Sequence, residues 1–263
     1  MRTIVLDRTV LAYDDVGPDH GVPLLLVHGH PFDRSMWAPQ VRRFGADRRV
    51  LVPDLRGYGA SPGAVPEWSA FADDLAALLD GLRVPRVAVA GLSMGGQIAL
   101  ELWARHPHRV AGLLLADTTA AAETAASRAA RRAQAAQLLR EGMDPYAVDA
   151  LYLMVGPDAP PAVAGHVLEM MRGADPAGAA AAQRARADRP DRRPDLAGVT
   201  VPTVVVVGSE DAYTPVADAR TIADGVPGAE LVVVDGAAHL PNLERPDAFD
   251  AAVARLLERV DAP

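Results

Sequence analysis

The sequence contains no lysine and no cysteine, and each absence removes a class of chemistry. All 26 basic residues are arginine, which excludes Schiff-base catalysis, attachment of pyridoxal phosphate and a phosphate-binding P-loop lysine. The absence of cysteine excludes a disulfide framework, a thiol nucleophile and thiolate ligands for a metal. No spacing of histidines or carboxylates predicts a metal site either. We expect neither a metal nor a cofactor.

The chain also lacks targeting, membrane-spanning and strongly basic segments. Its N-terminus, from Met1 to Asp7, has no apolar core of the roughly 7–15 residues that a signal peptide needs. No apolar run approaches the roughly 18–20 residues of a membrane span. The formal net charge is −8 without a basic stripe, which argues against a nucleic-acid partner. We expect a cytoplasmic monomer or homodimer that acts on a small molecule and binds no membrane.

Short apolar runs alternate with amphipathic helical stretches, which is typical of a parallel sheet covered by helices. Several runs are apolar on consecutive residues, as expected of strands buried on both faces. The predicted strands are 24–27, 50–52, 86–90, 110–116, 203–207 and 230–234, with an edge hairpin from 3–6 and 10–14. The predicted helices are 35–44, 69–82, 94–106, 215–225 and 246–260. Together they predict an α/β fold with a doubly wound, mostly parallel sheet of eight strands.

The alternation stops between residues 119 and 195, a stretch rich in helix-forming alanine and arginine. Prolines divide it into about four helices. We interpret 119–195 as a helical cap inserted into a core domain formed by 1–118 and 196–263, because inserted segments of this kind often cover sites. The alternative is that its alanine-rich part, 120–136, is a low-complexity helix without functional weight.

The residues Gly91-Leu92-Ser93-Met94-Gly95 follow an apolar strand and open a helical stretch. A G-x-S-x-G sequence in this context predicts a sharp turn that exposes a nucleophilic serine. The turn is so tight that side chains at positions 91 and 95 would collide with neighbouring chain. The helix N-terminus would place its dipole and free N–H groups beside Ser93, where negative charge develops on a substrate oxygen. An ordinary strand-to-helix turn is the alternative.

A second loop, His28 to Pro31, follows the strand 24–27 and is expected beside Ser93, since ligands gather at the carboxyl ends of central strands. The backbone N–H groups of His30 and Met94 are the candidate donors to an oxyanion. Because both are backbone groups, we expect no role for the His30 side chain here. His28 is expected to hold the loop by hydrogen bonds.

Two more loops follow the last two predicted strands and contain Asp211 and His239. Of the seven histidines, His239 is the one placed to act as a base for Ser93. Asp211 is the candidate acid that fixes the His239 tautomer and stabilises the imidazolium. Asp117, directly after the strand 110–116, is the rival position for that acid.

These motifs resemble the α/β-hydrolase superfamily, and within it the group of 3-oxoadipate enol-lactonases, small esterases and cofactor-free perhydrolases. The order Ser93, Asp211, His239 matches the triad order of that fold. The resemblance covers everything outside the predicted cap and rests on residues 28–37, 53–61, 91–96, 208–215 and 236–249. It implies a structural loop at Asp54 and Arg56, which we interpret as an ion pair or a loop brace.

The expected function is hydrolysis of a carboxylic ester or lactone of a small, mostly apolar substrate through an acyl-enzyme on Ser93. The candidate substrate contacts are Phe32, Tyr146, Met170, Tyr213 and Leu240. Such residues also fit a plain core role. The arginines of the predicted cap either bind a substrate carboxylate or form a salt-bridged helix surface. The alternatives are a C–C hydrolase, lyase or cyclase step on the same fold, and a non-catalytic small-molecule receptor.

Overall fold

Eight strands form the central sheet of the computed structural model, which describes residues 1–7 and 9–262. The strands are β1 (Arg2–Leu6), β2 (Thr9–Val16), β3 (Leu24–Val27), β4 (Val50–Pro53), β5 (Val87–Leu92), β6 (Val110–Ala116), β7 (Thr203–Gly208) and β8 (Glu230–Val234). Their order across the sheet is β1-β2-β4-β3-β5-β6-β7-β8. The pairs β1–β2 and β2–β4 are antiparallel, and the rest are parallel. The predicted fold class is therefore confirmed.

Burial explains why the central strands read as unbroken apolar runs. Every residue of β3, β4, β5, β6 and β7 is buried, because helices cover both faces of the sheet. The edge strand β1 is largely exposed. The third predicted strand, 86–90, differs from the structure: β5 continues to Leu92 and ends directly before Ser93.

Ten α-helices lie within the described residues. They are α1 (Ala38–Phe44), α2 (Ser69–Gly81), α3 (Met94–Arg105), α4 (Ala125–Glu141), α5 (Met143–Met154), α6 (Pro161–Gly173), α7 (Pro176–Ala187), α8 (Val216–Gly225), α9 (Pro241–Glu244) and α10 (Pro246–Asp261). None of them has the length and apolar character that crossing a bilayer requires. The predicted helix 35–44 is in fact a 3-10 turn, Arg34–Trp37, followed by α1, with Pro39 in the first turn of α1. Helix α9 is too short to give a periodic pattern and was not predicted.

The helices α4 to α7 all lie between β6 and β7, in the stretch where the sequence shows no strand pattern. Helix α4 packs on α7, and α5 packs on α6. Prolines stand in the first turns of α6 and α7, and Gly142, with a φ of 77°, separates α4 from α5. The domain boundaries at residues 118 and 196 remain a prediction.

Two apolar layers hold the sheet, one on each face. One contains Leu75 of α2, Ile98 of α3 and Ile222 of α8. The other contains Trp37 and Phe249, which pack against each other with ring centroids 5.9 Å apart. Helices on both faces are the mark of a doubly wound sheet.

The loop after β4 is braced by Asp54, but not through the predicted partner. The Asp54 carboxylate is fully buried, pairs with the Arg34 guanidinium, and accepts the N–H groups of Arg34 and Ala60 at 2.8 Å each. Arg56 instead donates its Nε–H to Asp74 at 2.8 Å. The predicted ion pair between Asp54 and Arg56 is therefore wrong, because each of these two side chains pairs with a residue from another part of the chain. The brace itself is confirmed.

We expect Asp54→Ala to lower the free energy of unfolding by about 2–4 kcal/mol, because it leaves two backbone N–H groups and a guanidinium without their buried acceptor. Asp14 also accepts from Arg34, at 3.1 Å, but lies near the surface. Asp14→Ala is therefore the matched control, with an expected loss below about 1 kcal/mol. Urea unfolding followed by circular dichroism measures both. Equal losses in the two variants would contradict this account of the loop.

Candidate active site

Ser93 stands at the junction of β5 and α3 in a strained backbone conformation. Its φ is 56° and its ψ is −115°, a region that residues other than glycine seldom occupy. Two hydrogen bonds hold it there: its N–H donates to the carbonyl of Ala116 at 2.8 Å, and its carbonyl accepts from Thr118 Oγ1 at 2.7 Å. The sharp turn predicted from the sequence is present.

The glycines on either side of Ser93 leave no room for a side chain. A Cβ at Gly91 would lie 2.3 Å from the carbonyl oxygen of Gly95, and a Cβ at Gly95 would lie 2.0 Å from that of Val27. Both distances are far inside van der Waals contact. The steric reason given for the two glycines is therefore confirmed, and Gly95 ties the turn to the end of β3.

Asp211 and His239 meet at the carboxyl end of the sheet, from the loops after β7 and β8. His239 Nδ1 lies 2.9 Å from Asp211 Oδ2. Asp211 Oδ1 accepts the N–H groups of Tyr213 and Thr214 at 2.8 and 3.1 Å, and the Thr214 hydroxyl donates to Oδ2 at 2.5 Å. Four donors thus fix this carboxylate in place.

The charge state of Asp211 determines the tautomer of His239. Burial alone would raise the pKa of Asp211, but the attraction of His239 and the hydrogen bonds from His239 and Thr214 outweigh it and lower that pKa. The carboxylate is therefore ionised at neutral pH and only accepts hydrogen bonds. His239 must then donate through Nδ1–H, which leaves Nε2 free to accept a proton.

Ser93 and His239 line the same cavity. Among the hydrogen bonds within residues 1–7 and 9–262, none joins the Ser93 hydroxyl to the His239 ring. The Asp211–His239 hydrogen bond is thus formed, whereas Ser93 and His239 share the cavity without a hydrogen bond between their side chains in this part of the chain.

Asp117, the rival acid, lies beside Asp211 but in a different state. Its side chain is fully buried, and its Oδ1 accepts the Gly208 N–H at 2.8 Å. Burial and the neighbouring charge of Asp211 raise the pKa of Asp117 well above its ordinary value. Burial thus disfavours the charged form of Asp117, whereas the acid partner of a histidine base must be charged.

Asp117, Asp211 and His239 are also the one group of metal-ligand type found within the described residues, with ligand atoms within 4.8 Å of one another. The Asp211–His239 hydrogen bond and the Gly208 N–H that donates to Asp117 hold these groups in place.

Measurements of enzyme activity distinguish the roles of Asp211 and Asp117. We expect Asp211→Asn to lower kcat for an ester by about 10³–10⁴-fold, because an amide leaves His239 in the wrong tautomer. Asp117→Asn is the matched control and should retain at least about a third of wild-type kcat, because an amide has the same shape and keeps an oxygen that accepts the Gly208 N–H. Steady-state kinetics at pH 7.5 measures both. A larger loss in Asp117→Asn than in Asp211→Asn would make Asp117 the acid partner.

Two backbone N–H groups face the Ser93 turn without a partner. Those of His30 and Met94 donate to no acceptor among the described residues. The loop of His30 packs on the turn, since a Cβ at Gly29 would lie 3.3 Å from Ser93 Cβ. Met94 is the first residue of α3, where N–H groups are free and the helix dipole is positive. Both predicted donors are thus present at the turn.

His28 holds the loop, as predicted. Its Nε2 accepts the N–H of Leu55 at 2.9 Å, so its Nδ1–H is the donor to the Gly29 carbonyl at 2.8 Å. Burial lowers the pKa of His28, which keeps the ring neutral and both bonds in place.

The His30 side chain has a role that the sequence did not predict. Its Nδ1 lies 2.6 Å from the Tyr58 hydroxyl, and its Nε2 accepts from Gln183 Nε2 at 3.0 Å. Gln183 in turn accepts from Arg131 at 3.0 Å, and Tyr58 donates to Met94 Sδ at 3.9 Å. This chain of bonds connects α4 and α7 to both oxyanion-donor residues, and it links side chains too distant in sequence for any local pattern to show.

Glu244 is a second residue that the sequence analysis missed. Its buried carboxylate accepts the N–H groups of Ala238 and Leu240, on either side of His239, at 3.1 and 3.2 Å. It also accepts the N–H of Gly156 at 2.8 Å, from the loop between α5 and α6. Glu244 therefore fixes the His239 loop to the helices between β6 and β7.

The cavity at Ser93 has a volume of about 380 Å³ and a wall of about equally polar and apolar surface. Tyr146 and Tyr213 line it, as predicted for substrate contacts. Phe32, Met170 and Leu240 do not; they are buried in the apolar layer that contains Trp37. Residues of α4 and α7 supply much of the wall: Ser127, Arg131, Gln134, Gln183 and Arg186. That the substrate is small and mostly apolar stays a prediction.

Comparison with known proteins places the fold and this site in one family. The family model described as "Alpha/beta hydrolase family" matches residues 24–252, a range that includes the Ser93 turn, Asp211 and His239. The chain belongs to the α/β-hydrolase family, and it is an enzyme of that hydrolase fold.

Similar proteins are esterases and lactonases. The chain is 31% identical to 3-oxoadipate enol-lactonase 2 of Acinetobacter baylyi over 98% of its own length and 96% of that protein. It is 35% identical to a thermophilic esterase from Thermogutta terrifontis, solved with malate bound, with a TM-score of 0.94 and 99% of each chain covered. The enol-lactonase from Burkholderia xenovorans is 30% identical, with a TM-score of 0.89 and coverage of 97% and 99%.

Proposed function

We propose that this protein hydrolyses a carboxylic ester or lactone of a small molecule through an acyl-enzyme on Ser93. The observation that carries the proposal is the meeting of the strained Ser93 turn and the Asp211–His239 pair at one cavity. Relatives named as esterases and enol-lactonases, matched over nearly the whole chain, support the reaction class.

The first half of the reaction forms the acyl-enzyme. His239 Nε2 takes the proton of the Ser93 hydroxyl as its oxygen attacks the carbonyl carbon. The N–H groups of His30 and Met94 donate to the oxyanion of the tetrahedral intermediate. His239 then gives the proton to the alkoxide oxygen as the C–O bond breaks. Asp211 stabilises the imidazolium and keeps Nε2 directed at the reacting atoms.

The second half releases the acid. Water attacks the acyl carbon and gives a proton to His239 Nε2. Collapse of the second tetrahedral intermediate breaks the bond to Ser93, whose oxygen recovers the proton from His239. For a lactone the alcohol and acid remain one molecule, so the product is a hydroxy acid or its keto tautomer.

The segment 119–195 acts as a cap in this proposal. Its helices α4, α5 and α7 contribute Arg131, Tyr146 and Arg186 to the cavity wall, so it shapes the space above Ser93. The hydrogen bonds of Gln183 to His30 and of Glu244 to Gly156 attach it to the catalytic loops. The alanine-rich stretch 120–136 therefore has functional weight: Ser127, Arg131 and Gln134 face the site.

Ser93→Ala is expected to lower kcat/KM for p-nitrophenyl butyrate by about 10⁴-fold or more, because the nucleophile is lost while the fold and pocket remain. Ser127→Ala, at another serine of the same cavity, is the matched control and should stay within about threefold of wild type. A fluorophosphonate probe followed by peptide mass mapping should label Ser93 in the wild type and in Ser127→Ala.

Ester hydrolysis that persists in Ser93→Ala would contradict the acyl-enzyme proposal. If activity then required His239, the result would favour a lyase, cyclase or C–C hydrolase step on the same fold. Tight binding of ligands without labelling or turnover would favour a receptor.

A further inference from the structure

Three arginines line the cavity above Ser93, and two of them share one carboxylate as their ion-pair partner. Arg131 donates Nε–H to Glu123 at 2.6 Å, and Arg189 pairs with the same carboxylate. Although burial opposes it, contacts from Ser127, Arg131 and Arg189 lower the pKa of Glu123 to about 2. Glu123 is thus a permanent counter-ion for both arginines.

Arg186 has no such partner. It lies on α7 with only 7% of its surface exposed, and no carboxylate within the described residues pairs with it. Its one hydrogen bond in that part of the chain is from Nε to Gln97 Oε1, at 3.3 Å. Burial, reinforced by the like charges of Arg131 and Arg189, lowers the pKa of Arg186 well below its ordinary value.

A buried guanidinium without a counter-ion is unfavourable for folding. Arg131 and Arg189 avoid this free-energy cost because each of them pairs with Glu123. The remaining nitrogens of Arg186 belong to a side chain that lines the cavity, where a ligand can reach them. A planar guanidinium with free donors is suited to bind a carboxylate through two parallel hydrogen bonds.

The charges of the cavity wall determine the charge of the ligand. The wall contains Arg131, Arg186 and Arg189 against Glu123 and Asp218, a surplus of one positive charge among the described residues. One carboxylate balances that surplus. A phosphate monoester, which carries about −1.5 to −2 at pH 7, would exceed it.

The position of Arg186 also limits the size of the ligand. Gln97, its hydrogen-bond partner, lies four residues after Ser93 and donates its backbone N–H to the Ser93 carbonyl at 3.1 Å. Four residues of helix rise by about 6 Å. Gln97 is therefore one helical turn from the nucleophile, and Ser93 and Arg186 line the same cavity of about 380 Å³.

We propose that the substrate carries a carboxylate in addition to its ester or lactone bond, and that Arg186 binds it through a two-point ion pair. This inference rests on the proposed function for the bond that is cleaved. In this proposal Arg186 determines specificity for acidic substrates and takes no part in the chemistry at Ser93.

The test compares acidic and neutral esters of similar size in wild type, Arg186→Met and Arg184→Met. Monoethyl glutarate and ethyl valerate, followed by pH-stat titration, place the carboxylate on the acyl side. The anion 4-acetoxybenzoate and 4-tolyl acetate, followed by absorbance, place it on the leaving group. Arg184 is on the same helix but exposed, so Arg184→Met controls for a change of charge on α7.

We expect the wild type to prefer the acidic ester in at least one pair. Arg186→Met should lower kcat/KM for that ester by about 10- to 100-fold, the loss expected for one charged hydrogen-bonded contact. The neutral esters should change by less than about threefold, and Arg184→Met should match wild type. Arg186→Met should also raise Tm, because it removes an uncompensated buried charge.

Two results would overturn the inference: no preference for the acidic ester in either pair, or an equal loss on acidic and neutral esters in Arg186→Met. If no ester is hydrolysed at all, that result contradicts the proposed function and leaves the carboxylate site to be tested by binding. Calorimetric titration of glutarate into Ser93→Ala and into Ser93→Ala/Arg186→Met then shows whether Arg186 binds a carboxylate. Binding that is lost in the double variant supports the site, and absence of binding in both overturns it.

Discussion

The strained turn at Ser93 is the constraint on which the rest of this site depends. It exists because two glycines let the end of β5, the start of α3 and the end of β3 approach within distances that a Cβ would forbid. The turn places the serine at the carboxyl edge of the sheet and leaves the first N–H groups of α3 unpaired. Once that edge is fixed, the loops after β3, β7 and β8 converge on it, because the carboxyl ends of parallel strands share one edge.

Electrostatics then assigns different states to neighbouring groups of the same kind. Asp211 and Asp117 are adjacent carboxyls, yet His239 and the donors around Asp211 lower its pKa, while burial raises the pKa of Asp117. Such separation of two carboxyls by their surroundings is how acid and base roles are usually assigned. The arginines show the same contrast: Glu123 pairs with Arg131 and Arg189 but not with Arg186. The fold tolerates that unpaired charge at a cost to stability, a common trade at functional sites.

The helices between β6 and β7 are attached to the catalytic loops through polar groups. Gln183 reaches His30, and Glu244 connects Gly156 to both sides of His239. Because these bonds are buried, each needs the geometry of its partner to be satisfied. A change in the position of α7 would therefore alter the contact of Gln183 with His30, and a change at Gly156 would alter the contact of Glu244 that also holds the His239 loop.

The sequence by itself determined the strands, the sharp serine turn and the candidate groups on each loop, because these depend on local patterns: apolar runs, glycine spacing and position after a strand. Tertiary structure decided the pairing of Asp54 with Arg34 instead of Arg56, the raised pKa of Asp117, and the direction of the α4 and α7 side chains. The sequence left open whether the cap arginines form a surface or a binding site, and the structure divides them: Arg132 pairs with Asp188 at the surface, whereas Arg186 faces the cavity. Partners separated by tens of residues, and the side of a helix that meets a cavity, depend on how elements pack, and no local pattern in the chain encodes that packing.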